Sequence, residues 1–525
     1  MPAAGREKLR AGSETRRRRK LKKILSLTGS LCVALTLAAA THAGVSFGVS
    51  EDRGKVDSSF FPTLHDIGLT ENRITLSWDP AAPDQIPDQD ALQNMVLPMA
   101  QANGVRVVFS VSAKNARDLL TSAAITQFTA WLQHVAQTFP SVKDYVIGNE
   151  PNQPLFWLPQ FEGGRPVAAA AYESVLAGSY DALKAVDGSI NVIGLGLSPR
   201  GNDNPNARNN ISRSPVRFLH DLGAAYRASH RTRPLMDALA FHPYPFRNTD
   251  PPEAGYAWPN AGLPNLDRIK QAVWDAFHGT AQPTFPEEGG GREPFAGSLR
   301  LDLDEVGWQV AIQPALAGLY YGTETQPTID EATQARYYGE TLQLGECDPA
   351  VTSLSFFLLV DEPDLSRWQS GLERVDGSHR PSYDTVKQTI AQTQGNCDST
   401  LMRWAHTPQV VAPWVSWGYL AHGKPPGWRR WSFVASASEE AMFRAGIFRK
   451  GTSRSRIARS LRYGRPRPVL RASGTIKAKS RVVAFPFRRL ARGRYVYAIR
   501  MQSTMNPSRT SLFVSSVFGV GVRPR

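Results

Sequence analysis

Eight β-rich runs alternate with helical stretches between Val45 and about residue 395. No glycine-rich dinucleotide loop follows the first run, and residues 401–525 switch to short β runs without long helices between them. Together these observations predict an α/β chain: a (β/α)8 TIM barrel followed by a small C-terminal all-β, immunoglobulin-like sandwich. A doubly wound sheet also alternates, but it would place its glycine loop directly after the first strand.

The elements follow in order. "VSFGVS" (45–50) is β-branched and aromatic and forms the first strand. The helix "FFPTLHDIGL" leads to the second, "RITLSWD" (73–79). "QDALQNMVLPMAQANG" ends on a helix-stopping glycine before the third, "VRVVFSVSA" (105–113). The periodic "ITQFTAWLQHVAQTF" precedes the fourth, "YVIGNE" (145–150), which Pro151 closes. "VAAAAYESVLAGSYDALKAVDG" precedes the fifth, "INVIGLGLSP" (190–199). "DALAFHPYP" (237–245), "LRLDLDEVGW" (299–308) and "LSFFLLVDE" (354–362) complete the eight, and "RPSYDTVKQTIAQT" is the closing helix.

Three regions are expected: a leader (1–43), the barrel (44–400) and a basic β-sandwich (401–525). "RRRRKLKK" followed by the apolar run 24–40 and "AAATHAG" has the layout of a signal peptide cut near Ala40 or Ala43. The protein is therefore expected to be secreted; an uncleaved membrane anchor is the alternative, because the apolar run is nearly long enough to span a bilayer. The paired arginines add a hint of twin-arginine export. In the tail, "RVVAFPF", "GRYVYAIRM" and "SLFVSSVFGV" are strands, and "LARGRYVYAI" has the spacing of a tyrosine corner at Tyr495. Trp404, Trp414, Trp417, Trp428 and Trp431 are expected to pack the tail on the barrel.

The net charge of +15 is unevenly spread. Residues 401–525 hold 25 Lys and Arg against two acids, Glu439 and Glu440, whereas 24–400 hold 26 basic and 42 acidic residues. An acidic body with an arginine-rich tail reads either as a solubilising surface or as contact with an anionic cell-surface polymer. No nucleic-acid-binding motif is present, and nucleic acid is a poor partner for an exported protein. Cys32 lies in the leader, leaving Cys347 and Cys397. One precedes strand eight and the other follows the last helix, so both belong at the bottom of the barrel, where a disulfide is expected. No ligand spacing for a metal appears, and no cofactor is expected.

In a (β/α)8 barrel the C-terminal strand ends carry the chemistry. Those ends hold Asp79, Asn149, Glu150, His242, Tyr244, Glu305, Trp308, Asp361 and Glu362. Glu150 on strand four and Glu305 on strand seven face each other across the mouth, the arrangement that cleavage of a glycosidic bond requires. Strand alternation puts Asp302 and Asp304 on the face opposite Glu305, with Asp304 the fallback.

"NEP" on strand four, "HPY" on strand six and "EVGW" on strand seven, in that strand order, resemble the retaining glycoside hydrolases of clan A. The resemblance covers residues 45–395. It implies a secreted O-glycosidase acting on an oligo- or polysaccharide or other glycoside, with Glu150 as acid/base and Glu305 as nucleophile. It further implies Asn149 on the sugar 2-hydroxyl and His242 and Tyr244 orienting Glu305. Trp78, Trp157, Trp308 and Trp368 are expected to contact substrate, with Phe156, Tyr256 and Trp258 on neighbouring loops. One departure stands out: members of the clan often carry an arginine at the end of strand two, whereas Arg73 begins that strand and its end reads "SWDP", leaving Trp78 or Asp79 for the role. The alternative from another class is a catalytically inactive carbohydrate-binding or cell-surface protein on the same scaffold. A barrel esterase or metal hydrolase lacks its Gly-x-Ser-x-Gly elbow or histidine cluster here.

Overall fold

A computed structural model of the chain describes residues 44–285, 299–398, 421–422, 431–478, 480–485 and 490–520. Residues 1–43, expected to be a leader, lie outside them, as do Trp404, Trp414, Trp417, Trp428 and the side chain of Trp431. No helix among the described residues is long and apolar enough to cross a membrane.

Eight parallel strands close into a barrel whose neighbours follow chain order. They are β1 (Ser46–Ser50), β2 (Glu71–Trp78), β3 (Arg106–Ala113), β4 (Asp144–Ile147), β5 (Asn191–Leu197), β6 (Ala238–Phe241), β7 (Arg300–Val306) and β8 (Val351–Phe357). The helices are α1 (Phe60–Ile67), α2 (Leu97–Ala102), α3 (Ser122–Thr138), α4 (Ala168–Val186), α5 (Pro215–Ala228), α6 (Leu266–Phe277), α7 (Glu331–Glu346) and α8 (Pro381–Thr393). Residues such as Phe109, Ile147, Val192 and Leu239 join the helices' apolar faces in one continuous core. Val108, Val146, Ile193, Ala238 and Ala240 form a smaller cluster of their own. Arg106 pairs with Glu71, and with Asp144 at 3.0 Å.

Strand eight departs from expectation: it starts at Val351 and stops at Phe357, so "LLVDE" is loop. Leu358 has φ 77°, which ends the extended backbone. The amides of Leu359 and Val360 donate to the Glu51 carboxylate, at 2.6 and 3.2 Å, instead of to a neighbouring strand. Cys347 caps α7 and is bonded to Cys397 beyond α8.

The C-terminal region is antiparallel. Strands β9 (Ala421–His422), β10 (Trp431–Ser436) and β13 (Ser480–Ala484) form one sheet. The other contains β11 (Ala441–Arg449), β12 (Leu470–Ile476), β14 (Gly493–Ser503), β15 (Thr510–Val514) and β16 (Phe518–Val520). Ala435 and Val483 from the first share a core with Phe443, Ile447, Tyr497 and Ile499 from the second. Helix α9 (Arg454–Tyr463) packs Ile457 and Leu461 on Phe448, Val496 and Ala498. The Tyr495 hydroxyl donates to the Ala491 carbonyl at 2.8 Å. Among the described residues, buried Arg509 of this region pairs with Asp275 of α6 and with Glu439, each at 2.8 Å, and Met505 packs against the barrel core. Arg217 of α5 pairs with Glu440 at 2.9 Å.

Candidate active site

Glu150 is held by irregular backbone. Beyond β4, Gly148 takes φ 83° and Glu150 itself φ 40°, a conformation that non-glycine residues rarely adopt. A Cβ on Gly148 would lie 3.1 Å from the Tyr172 ring, so glycine serves both the turn and the packing. Pairing of β4 with β5 stops at Ile147 opposite Gly194. There the buried Tyr172 hydroxyl takes over, donating to the Ile147 carbonyl at 2.5 Å and accepting from the Leu195 amide at 2.8 Å. The Glu150 amide then donates to the Gly196 carbonyl at 2.9 Å. Gly196 has φ 54°, and a Cβ there would approach His242 Nε2 to 3.1 Å.

The opposite wall is β7. Leu303 lies opposite Leu354 and Val306 opposite Phe356, so β7 carries one residue more than β8 between these pairs. This bulge overturns the alternation argument: Asp304 and Glu305 reach the same cluster. Asp304 lies 3.2 Å from His242 Nε2 and 2.9 Å from Arg73 Nε, while Glu305 Oε1 lies 2.7 Å from Arg73 Nη1.

Arg73 also corrects the expectation for strand two. It pairs with Ser50, the last residue of β1, and so stands at the mouth on that side. Its strand runs on to Trp78 only because β3 continues beside it to Ala113. Buried Arg73 donates to Ser50 Oγ and Asn149 Oδ1, each at 2.8 Å, as well as to Glu305. Asp79 instead pairs with Lys114 at 2.6 Å, and buried Trp78 packs edge-on against Phe128.

His242 is fully buried, and its Nδ1 lies 3.1 Å from Glu150 Oε1 and 3.4 Å from Glu305 Oε2. Burial alone would lower its pKa, but Glu305 and Asp304 with their charges, and hydrogen bonds to Asp304 and Glu150, raise it to about 10. That shift favours the protonated ring, whose Nδ1 is within hydrogen-bond distance of Glu150. Burial tends to raise Asp304, yet His242 and Arg73 hold it below the ordinary carboxylate range. Tyr244 is pushed well above the usual phenol by burial and by the charges of Glu305 and Glu150, so its hydroxyl stays protonated and donates to Glu305 at 3.1 Å.

The cluster opens into a cleft of about 1100 Å³. Trp368 lines it, with its ring centroid 5.0 Å from that of Tyr244, and Phe156, Phe246 and Tyr256 line it further out. The other expected platforms do not reach the cleft. Trp308 is buried against Tyr337 and Tyr338, with Nε1 on the Asp250 carbonyl. Trp157 packs edge-on against Tyr172, and Trp258 lies under the Arg217 guanidinium. Asp361 is buried in a bidentate pair with Arg380, and Glu362 pairs with Arg367. Among the described residues no group of three or more His, Cys, Asp or Glu side chains is arranged to hold a metal ion.

No protein-family model and no curated relative matches the sequence. Solved structures to which the chain is similar include the β-glucuronidase of Bacteroides uniformis, with TM-score 0.41 and 10% identity over 90% of this chain. This chain spans 45% of that protein's length. A glucosidase from Croceicoccus marinus gives TM-score 0.46 and 10% identity over 85% of this chain and 92% of its own. A monomeric β-xylosidase from Caulobacter crescentus CB15 gives 0.39 and 14% over 88% and 96%. By their names, all three structural neighbours are glycosidases.

Proposed function

We propose that the barrel is a retaining O-glycoside hydrolase, with Glu305 as nucleophile and Glu150 as acid/base. The observation that carries this is their shared contact with His242 Nδ1, at 3.4 and 3.1 Å. It bounds the separation of those two carboxylate oxygens at roughly 6.5 Å, in keeping with a retaining pair at about 5–5.5 Å. The substrate class is an oligo- or polysaccharide or other glycoside.

In the first step Glu305 forms a bond to the anomeric carbon while the glycosidic C–O bond breaks, and Glu150 passes its proton to the departing oxygen. Arg73, Tyr244 and His242 contact Glu305 and keep it aimed. Asn149 accepts from Arg73 through Oδ1, which leaves its amide Nδ2 to donate to the sugar 2-hydroxyl. In the second step Glu150 takes a proton from water, whose oxygen bonds to the anomeric carbon as the bond to Glu305 breaks. Trp368 beside Tyr244 offers a face for the sugar ring.

A panel of aryl glycosides with both anomers tests the proposal. Turnover of at least one is expected, with Glu150→Gln and Glu305→Gln each losing about 10²-fold or more. A wild-type protein inert across the panel, or variants as active as wild type, would contradict it. On the sequence patterns we further propose that residues 1–43 are a secretory leader and that 401–525 form an immunoglobulin-like accessory domain behind the catalytic region 44–400. The Tyr495 hydroxyl bond supports the latter.

A further inference from the structure

The C-terminal region has two acids, and both are engaged at the seam: Glu439 with Arg509, and Glu440 with Arg217. Residues 401–525 hold no other Asp or Glu for the remaining arginines. On β11 and β14, Arg444 and Arg500 stand directly opposite each other. Like charges in that position destabilise a sheet. Arg462, near the end of α9, joins them, its carbonyl accepting from Arg444 Nη1 at 2.6 Å. Among the described residues no carboxylate lies within ion-pair distance of any of the three guanidinium groups. The Arg500 guanidinium is held below its ordinary range by burial and by Arg462 and Arg444.

Two hollows flank Arg500, of about 340 and 250 Å³. Arg462, Tyr463, Thr510 and Ser511 line one, and Arg444, Ser473 and Gln502 line the other. Tyr463 is 66% exposed, with the Arg462 guanidinium over its ring. Guanidinium forks, hydroxyls and an open aromatic face suit a sugar bearing an acidic group: the fork takes the anion bidentately and the ring stacks on the sugar.

We propose that Arg444, Arg462 and Arg500 form a binding site for an anionic polysaccharide. The proposal is independent of the hydrolytic chemistry. Two adjacent hollows sharing one arginine fit acidic groups that recur along a chain, and the bound anions relieve the repulsion that the fold leaves standing.

Affinity electrophoresis of the full chain in polygalacturonate, dextran sulfate and neutral dextran tests this. The first two arms separate carboxylate from sulfate as the acidic group. Retardation by at least one acidic polymer and none by dextran is expected. The triple variant Arg444→Gln, Arg462→Gln, Arg500→Gln should weaken binding about tenfold or more and flatten its salt dependence. A charge-matched control on the barrel, Arg117→Gln, Arg165→Gln, Arg336→Gln, should change it less than about twofold. Aryl-glycoside turnover, if present in wild type, should be unchanged in both. Removing like charges should leave the melting temperature of the triple variant unchanged or higher; were it lower, single Arg444→Gln at its exposed site would carry the comparison. Absence of retardation in both acidic polymers would overturn the proposal, as would equal loss in the control. So would equal competition by single-stranded DNA of matched charge, which would mean the surface reads charge alone.

Discussion

His242 joins the two carboxylates, and its protonation should be visible in stability. Its pKa lies near 10 in the fold against 6.5 ordinarily, so the fold favours the protonated ring. That contribution is complete below about pH 6.5 and is lost as pH rises through about 10. Urea unfolding of wild type and His242→Gln should therefore show a stability gap that narrows across this window; a constant gap would contradict the assignment. Arg73 is the second residue to probe. Arg73→Met leaves Asp304 and Glu305 buried without their cation, costing about 3–5 kcal/mol of stability. Arg73→Lys retains the charge but loses the fork joining Glu305 to Asn149, and should keep most of the stability while lowering kcat/KM about 10²-fold. Equal activity in Arg73→Lys would remove Arg73 from the site. The carboxylates, Asn149, His242 and Tyr244 were legible from the sequence because each sits at or just beyond a strand end. Arg73 was not, because the β-rich run continues past it to Trp78 without a break.

At the level of elements, the alternation of strands and helices was legible because each helix has an apolar period and a stop, such as Gly68 with φ 91° after α1. The irregularities that build the site were not. A strict period of two placed Asp304 opposite Glu305, whereas the β7 bulge brings both to one cluster. Aromatic identity was likewise an uncertain guide: Trp78 and Trp308 pack into the core, while Trp368 lines the cleft. The gap between β4 and β5 offers a direct test. Tyr172→Phe removes the hydroxyl that joins the Ile147 carbonyl to the Leu195 amide and leaves both groups buried. A loss of about 1–3 kcal/mol is expected in urea unfolding, with reduced turnover because Glu150 lies three residues beyond Ile147. Wild-type stability in that variant would mean the hydroxyl does not hold the gap.

At the scale of the molecule, the change of charge at about residue 400 was legible by counting, whereas the ion pairs of Arg509 and Arg217 at the seam were not. Arg509 spans Asp275 of the barrel and Glu439 of the C-terminal region. Arg509→Met should leave two buried carboxylates unpaired, at a cost of about 3–5 kcal/mol. Thermal unfolding should then separate into an early transition of the C-terminal sheets and a later one of the barrel. A single unshifted transition would show that this ion pair does not couple the two.

Product stereochemistry with added azide decides which carboxylate attacks the sugar. Glu150→Ala still forms the glycosyl-enzyme from a substrate with a good leaving group, and azide needs no general base. Turnover should therefore accelerate and give a glycosyl azide of retained configuration. Glu305→Gly should be nearly inactive until azide attacks directly, giving the inverted product. Inverted azide from Glu150→Ala together with retained azide from Glu305→Gly would contradict the assignment and exchange the two roles.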